Sequence, residues 1–234
     1  MNSFVQRTQP WKHVDVSEAT VRTVFDGLGI SSEVAQPDAR VLDFGCGNGR
    51  YMKVFSHVME PSRIYGVDVD SEAFPALVDM GFHCAKLPER GVSLSFDDGM
   101  FDYVFSSNVV EHIPRPQYLN YLDEIFRVMK PGGVFAIGAP NYPIKRLFDL
   151  VSAWRHRRQP DMWRYYFYDD PTHVNPVSVR GVASDLGDAG FVDIDLLATE
   201  LPLQSYGSRL RSKTMKRTLK VLGNKFFGSC RKPA

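Results

Sequence analysis

Cysteine is scarce in this sequence, with three residues in 234, and they form neither a Cys-x-x-Cys pair nor another zinc-ligand spacing. This scarcity excludes a disulfide framework and favours a reducing compartment. The chain also lacks any apolar run near the ~18 residues that span a bilayer, and its first residues lack the apolar core of a secretory signal. We therefore expect a soluble, cytoplasmic protein with one globular domain.

Excess charge of one sign is absent from the chain as a whole, whose formal net charge is +1. The charge is nevertheless unevenly distributed, because residues 205–234 contain nine basic and no acidic residues. Residues 1–204 consequently carry 19 basic and 27 acidic residues, a net charge of −8. The basic segment predicts an amphipathic helix, with one face that holds Met215, Leu219, Leu222 and Phe226 and an opposite face that holds Lys213, Lys216, Arg217 and Lys220.

Two interpretations of this basic segment stay open. The helix either covers an edge of the sheet before a last short strand, or it brings residues 209–225 to an anionic surface of lipid, nucleic acid or phosphorylated glycan. Aromatic residues do not alternate with the basic ones as they do in segments that bind RNA. We therefore do not expect nucleic acid as a partner.

Strand and helix patterns alternate along the chain, and neither internal repeats nor low-complexity tracts interrupt them. This alternation predicts an α/β fold with a mainly parallel sheet and helices on both faces. The predicted strands are 39–45, 63–70, 101–110, 132–140, 191–198 and 224–230. The predicted helices are 15–29, 49–59, 71–81, 117–130 and 178–190. We expect a single domain, 1–234, with a helical N-terminal cap at 1–37, a core at 38–200 that contains an acceptor-pocket insert at 141–176, and the basic segment 205–234.

The stretch VLDFGCGNGR, residues 41–50, places three glycines where the first predicted strand turns into its helix. Glycine permits a positive φ and lets a ligand lie against the backbone, and such turns bind either a dinucleotide or S-adenosylmethionine (SAM). The dinucleotide motif ends in a small residue, whereas Arg50 occupies that place here. Asp43 would repel a pyrophosphate and suits a ligand with a cationic end. The residues therefore favour SAM over NAD.

At these positions the chain resembles the class I SAM-dependent methyltransferases, over roughly residues 38–200. VLDFGCGNGR is similar to the first motif of that family, and Asp68, which ends YGVD, stands where its ribose-binding acid ends the second strand. FDDGMFDYVFSSNVVEHI and RVMKPGGVFAIGAPN are similar to its fourth-strand and fifth-strand segments. The resemblance implies a Rossmann-like, seven-stranded fold with SAM as cofactor. The implied SAM contacts are Asp43, Gly45, Cys46, Gly47, Gly49, Asp68, Val69, Val92, Ser107 and Asn108, with Glu89 as an alternative to the backbone of Val92 at the adenine.

The pair Glu111-His112 resembles a branch that includes the O-methyltransferases of the ubiquinone pathway. The matching run there is Glu-x-x-Glu-His, which can hold a divalent metal, but Asn108 replaces its first glutamate here. We therefore expect no metal, with Glu111 and His112 as ligands only if a divalent ion is bound. His112 is the leading candidate for a general base, and a purely structural histidine is the alternative. His173 is similar to a histidine that relatives place before their next helix, and it is the second catalytic candidate.

The insert at 141–176 is rich in aromatic residues and arginine. Loops on a rigid scaffold often determine specificity, so Tyr165, Tyr166 and Tyr168 are candidates for the acceptor pocket, although packing of an extra helix would also explain them. We expect O-methylation of a small-molecule, lipid-linked or sugar acceptor. The alternatives are a non-catalytic SAM-binding scaffold, a nicotinamide oxidoreductase and a nucleic-acid methyltransferase.

Overall fold

The computed structural model describes residues 38–70, 72–88, 92–199 and 223–234. The predicted helix 15–29 within the 1–37 cap, Glu89 and most of the predicted basic helix lie outside these residues. None of the helices in the four described stretches has the length and apolar character that a bilayer crossing requires.

Within the described residues, seven strands form one sheet, in the order β3-β2-β1-β4-β5-β7-β6. All neighbouring strands pair in parallel except β7, which is antiparallel to both β5 and β6. This arrangement confirms the predicted α/β fold with a mainly parallel, seven-stranded sheet. The strands are β1 (Val41–Phe44), β2 (Ile64–Asp68), β3 (His83–Lys86), β4 (Phe101–Ser107), β5 (Met129–Pro140), β6 (Val192–Thr199) and β7 (Lys225–Arg231).

Six α-helices connect these strands in the described residues. They are α1 (Arg50–Phe55), α2 (Phe74–Asp79), α3 (Arg115–Val128), α4 (Ile144–Arg155), α5 (Pro160–Tyr168) and α6 (Val179–Asp188). Short 3-10 turns lie at Pro61–Arg63 and Val110–His112. Two apolar clusters, one for each face of the sheet, bury most of β1, β4 and β5, as expected for a parallel sheet covered on both faces.

Close packing of α1 on the sheet depends on a glycine in β2. A Cβ atom at Gly66 would lie 2.5 Å from Met52 Sδ and 2.8 Å from Cys46 Sγ. The sulfur atoms of Met52 and Cys46 therefore occupy the space above Gly66, and a side chain at this position would have to displace them.

Several sequence predictions differ from the structure in detail. The strand predicted at 101–110 ends at Ser107, because Asn108 adopts a positive φ of 56°. The PGG segment at 131–133 belongs to β5, which is continuous from Met129. The helix predicted at 71–81 is confined to Phe74–Asp79, with its proline in the first turn. Phe226, assigned to a helix face, is a buried residue of β7. Strand β3, which the sequence patterns missed, pairs with β2.

The carboxyl ends of the parallel strands meet at one edge of the sheet. The chain runs from β1 outwards to β3 and then returns to add β4 and β5 on the other side of β1. The strand order therefore reverses between β1 and β4. In open α/β sheets, ligands bind in the crevice beyond such a reversal.

Candidate active site at the carboxyl edge of the sheet

The three glycines after β1 have different functions in the turn. All three have positive φ, at 81° for Gly45, 51° for Gly47 and 74° for Gly49. A Cβ at Gly45 would lie 2.2 Å from Val109, and one at Gly49 would lie 2.3 Å from Leu77. A Cβ at Gly47 would meet no described atom within 4 Å. Two glycines therefore permit close packing, and the third leaves open space in which a ligand can lie against the backbone.

The carboxylate of Asp68 ties the end of β2 to this turn. One oxygen accepts a hydrogen bond from Gly47 N at 2.7 Å, and the other accepts from Asp70 N at 2.9 Å. The backbone of the turn is also held by Val67 O, which accepts from Gly45 N and Cys46 N. Each carboxylate oxygen can accept a second hydrogen bond. Asp68 can therefore receive ribose hydroxyls while it positions the turn.

Asp43 is a buried acid beneath the turn, with 1% of its surface exposed. Its Oδ2 atom finds no hydrogen-bond partner among the residues that the structure describes. Burial, together with the negative charge of Asp68, raises the pKa of Asp43 to about 8. A buried polar atom without a partner is costly unless a ligand satisfies it. Two neighbouring acids beside an open glycine turn fit SAM, whose amino-acid end carries an ammonium group.

Two histidines from distant parts of the sequence meet at the same edge. His112 lies in the 3-10 turn after β4, and His173 lies in the loop between α5 and α6. Their ring centroids are 4.9 Å apart. Asn175 holds the two segments together, because its backbone N donates to Glu111 O and its Nδ2 donates to Val110 O, both at 3.0 Å. The structure therefore brings together the two residues that the sequence nominated for catalysis.

Hydrogen-bond partners define which nitrogen of His112 carries the proton. Nδ1 lies 3.2 Å from the carbonyl oxygen of Thr172 and 2.9 Å from its Oγ1. The Thr172 hydroxyl donates to Asp170 at 2.6 Å, so its oxygen accepts from the ring. Both contacts require a hydrogen on Nδ1, which leaves the Nε2 lone pair of His112 available. Burial and the neighbouring His173 lower the pKa of His112, and this keeps the ring neutral.

His173 is oriented by Asp169 through a bridging hydroxyl, as His112 is by Asp170 through Thr172. Tyr142 OH lies 2.7 Å from both Asp169 Oδ2 and His173 Nδ1. Because a carboxylate only accepts, the Tyr142 hydroxyl donates to Asp169, and Nδ1–H of His173 donates to Tyr142. Burial acts to raise the pKa of Asp169, but hydrogen bonds from His173, Lys145 and Tyr142 outweigh it and hold this pKa far below its usual range. The Nε2 lone pair of His173 is therefore also available.

Asp169 has a backbone conformation that is rare for a residue with a side chain, with φ 64° and ψ 179°. Such strain persists where surrounding interactions enforce it, and it often marks functional sites. Here the enforcing contacts are those of its carboxylate with Tyr142, His173 and Lys145. The conformation thus supports the assignment of Asp169 to the site.

Glu111 adds a buried carboxylate to the histidine pair. It is 1% exposed, and its Oε1 lies 3.9 Å from His112 Nε2. Its Oε2 has no hydrogen-bond partner within the described ranges, and burial raises the pKa of Glu111 to about 7. Ligand atoms of Glu111, His112 and His173 all lie within 4.8 Å of one another. Two imidazoles and a carboxylate form a donor set that divalent transition metals accept, so these are the residues that could hold an ion.

The other nominated cofactor residues occupy varied surroundings. Cys46 is buried, and burial with nearby acids raises the pKa of its thiol. Val69 is 65% exposed beyond β2, whereas Val92 packs against the core. Ser107 ends β4, and its hydroxyl accepts from Asn108 Nδ2 at 3.3 Å. Their contacts with SAM stay predictions.

The nominated pocket tyrosines all lie on α5. Tyr165 and Tyr168 are 46% and 68% exposed, and Tyr166 stacks on His156. Burial raises the pKa of Tyr165, although the positive charge of Lys145 acts in the opposite direction. Packing of the extra helix and contact with an acceptor are both compatible with these positions.

Sequence reasoning missed Tyr142, Thr172 and Asp169, which orient the two histidines. Tyr142 lies two residues after the end of β5, and its backbone N donates to Val177 O at 2.8 Å. The available signal was the position of Tyr142 at the carboxyl end of a central strand, where ligand-binding residues concentrate in such sheets. Asp169 precedes the DPTH segment and Thr172 lies within it, and neither offered a comparable signal.

Known proteins that are similar to this chain include methyltransferases. Residues 18–196 match a family described as a methyltransferase domain. An uncharacterized methyltransferase of Mycobacterium leprae is 37% identical over 123 residues, which are 50% of this chain and 43% of that protein. A biotin biosynthesis bifunctional protein of Teredinibacter turnerae is 30% identical over 214 residues, which are 84% of this chain and 33% of that protein. The chain thus spans less than half the length of these curated relatives.

Among solved structures, a SAM-dependent methyltransferase from Archaeoglobus fulgidus is similar over 92% of both chains, with a TM-score of 0.60. Its sequence identity with this chain is 22%. At this level of identity the likeness establishes the fold.

Proposed function

The chain belongs to the SAM-dependent methyltransferases, and from this premise we propose that it methylates a hydroxyl oxygen of a small-molecule, lipid-linked or sugar acceptor. The observation that carries the proposal is the pair of imidazoles at the sheet edge, each with its Nδ1–H engaged and its Nε2 lone pair available. A hydroxyl acceptor must lose a proton, and a neutral imidazole within reach is the usual base.

SAM, when bound, supplies an activated methyl group on a sulfonium centre, so the protein mainly has to align the acceptor with it. Gly47 offers the open backbone, Asp68 offers acceptors for ribose hydroxyls, and Asp43 offers a partner for the ammonium group. Such positioning can supply about 7–11 kcal/mol of the barrier. These three residues bind and orient, and none of them has to exchange a proton with the acceptor.

His112 is better placed than His173 to accept the proton of the hydroxyl. Its side chain is 38% exposed, against 12% for that of His173. His112 Nε2 would accept the proton of the acceptor hydroxyl while the methyl group passed from sulfur to oxygen, and the sulfur would leave as the neutral thioether of the demethylated cofactor. The Thr172 carbonyl oxygen, which accepts from Nδ1–H, and Asp170 behind it stabilise the resulting imidazolium. His173 and its Asp169 partner complete the polar wall beside the acceptor.

The experiment is labelled-methyl transfer from SAM into a cell extract and its lipid fraction, followed by NMR of the labelled carbon. The proposal expects a methyl carbon bonded to oxygen, with transfer reduced about 100-fold or more in His112→Gln and unchanged in the matched control His57→Gln at an exposed site. A label on nitrogen or carbon, or full activity of His112→Gln, would contradict it. Cofactor binding without transfer into any fraction would indicate a scaffold.

A further inference from the structure

Helices α4 and α5 form a hairpin, residues 144–168, whose outer face is unusually apolar for a protein surface. Leu147, Leu150, Val151 and Trp154 recur at helical spacing along α4 and are 58%, 46%, 41% and 66% exposed. α5 has no buried residue, and its Met162 is 39% exposed. A continuous exposed face of this kind marks an interaction surface more often than a chance arrangement.

The charge of the hairpin indicates what covers this face. Residues 144–168 contain six basic and two acidic residues, a net charge of +4 in a chain whose total is +1. Four exposed arginines surround the tip of the hairpin, whereas its exposed acid is Asp161. The guanidinium of Arg157 lies 4.8 Å from the ring centroid of Trp154. The four arginines are Arg155, Arg157, Arg158 and Arg164.

We propose that the tip of the α4–α5 hairpin docks on an anionic bilayer surface. Leucine, valine and tryptophan would enter the boundary between headgroups and acyl chains, while the arginines contact lipid phosphates, as in helices that lie in the membrane plane. Tryptophan and arginine both suit this boundary, because each has an apolar body and a polar end. A second protein copy would bring its own four arginines to this face, where one exposed acid, Asp161, is present, so the charge disfavours a dimer through this face.

The hairpin connects the bilayer to the candidate active site. α4 begins two residues after Tyr142, and α5 ends directly before Asp169. Lys145, in the first turn of α4, pairs with Asp169 and thereby ties the base of the hairpin to the histidine cluster. The 12 residues of α4 extend over about 18 Å. Docking would hold the crevice near the bilayer and would favour a lipid-linked acceptor over a small molecule or free sugar. This choice of acceptor rests on the proposed function, whereas the docking itself does not.

The test is co-sedimentation of the full chain with vesicles of phosphatidylcholine alone and with vesicles that also contain phosphatidylglycerol. We expect binding to the anionic vesicles, weakened by high salt. Each arginine near an anionic surface contributes a factor of about 5 in partitioning, so Arg157→Gln combined with Arg158→Gln should weaken binding about 30-fold. Trp154→Ala should weaken it about tenfold or more. Matched controls outside the hairpin, Arg180→Gln and Leu119→Ala, should bind as the parent does.

Several outcomes would overturn the proposal. These are a lack of binding to anionic vesicles, equal binding by the hairpin variants and the parent, or binding that is lost only when basic residues of 209–222 are neutralised. A concentration-dependent dimer that Trp154→Ala abolishes would assign the face to a second copy instead. Vesicle binding is measured without acceptor or SAM, so a failure to bind vesicles would not affect the proposed methyl transfer. Likewise, a failure of methyl transfer would not affect the proposed docking.

Discussion

Replacement of Asp43 by asparagine removes the charge of this buried acid and keeps its size. In the folded protein without ligand, burial and Asp68 raise the pKa of Asp43 from 3.8 to about 8. At neutral pH the unfolded chain ionises this group and the folded chain protonates it, so folding takes up a proton. This proton uptake lowers the free energy of unfolding by about 1.4 kcal/mol for each pH unit above the ordinary pKa, or by about 4 kcal/mol at pH 7.

The sign of the pH dependence follows from this difference. The cost is absent below the ordinary pKa, grows as the pH rises through it, and becomes constant above the raised pKa of the folded protein. Asp43→Asn avoids the cost. We therefore expect the variant to have a larger free energy of unfolding than the parent, by about 4 kcal/mol at pH 7, with a difference that increases from about pH 4 to about pH 8.

The same replacement should weaken SAM binding. A hydrogen bond between charged groups contributes about 1.5–3 kcal/mol, which corresponds to a loss of about 10- to 150-fold in affinity. Calorimetry with SAM or its demethylated product should also detect proton release by the parent at neutral pH, because the ammonium group favours the ionised form of Asp43. The variant should release none. Urea unfolding at several pH values measures the difference in stability between the variant and the parent.

Two results would refute this reasoning about Asp43. One is a variant whose stability relative to the parent does not change with pH. The other is a variant that binds SAM with the affinity of the parent and the same proton release. The first would mean that folding does not protonate Asp43, and the second that Asp43 is not the partner of a cationic ligand end.

Three further predictions concern the turn and the histidine cluster. Gly47→Ala should lower the free energy of unfolding by about 1–2 kcal/mol, because of the positive φ at this position, and should abolish SAM binding. Gly49→Ala should lower it by a further ~1–3 kcal/mol, because the new Cβ atom would clash with Leu77. Equal unfolding midpoints for the two variants would contradict this. Asp169→Asn should lower the transfer rate less than His112→Gln does and leave SAM affinity unchanged, because it removes the acid that orients His173 in the wall beside the acceptor; an unchanged rate would exclude this role. Chelation of divalent ions should not affect transfer, and a loss that added metal restores would identify the cluster as a metal centre.

The parts of the site that sequence could predict are those formed by neighbouring residues. The glycine turn and the acid that ends β2 lie within one strand–helix–strand unit, so the spacing from Gly49 to Asp68 carries the information. Strand β3 was missed because its four residues are mostly exposed or half-buried and show no alternation.

The geometry of the catalytic cluster was not predictable in this way. His112 and His173 are 61 positions apart in the sequence, and the contacts of Asn175 with the 3-10 turn bring them together. The orienting role of Tyr142 and Asp169 depends on the path of the chain through both helices of the hairpin. No local pattern encodes that path, because tertiary packing determines where the loop after α5 returns to the sheet.

Titration calorimetry of the parent and Asp68→Ala with SAM tests the central claim most directly. We expect submillimolar binding by the parent and a large loss of affinity in the variant, since Asp68 both holds the turn and offers acceptors to the ribose. Absence of binding by the parent, or equal binding by Asp68→Ala, would contradict it.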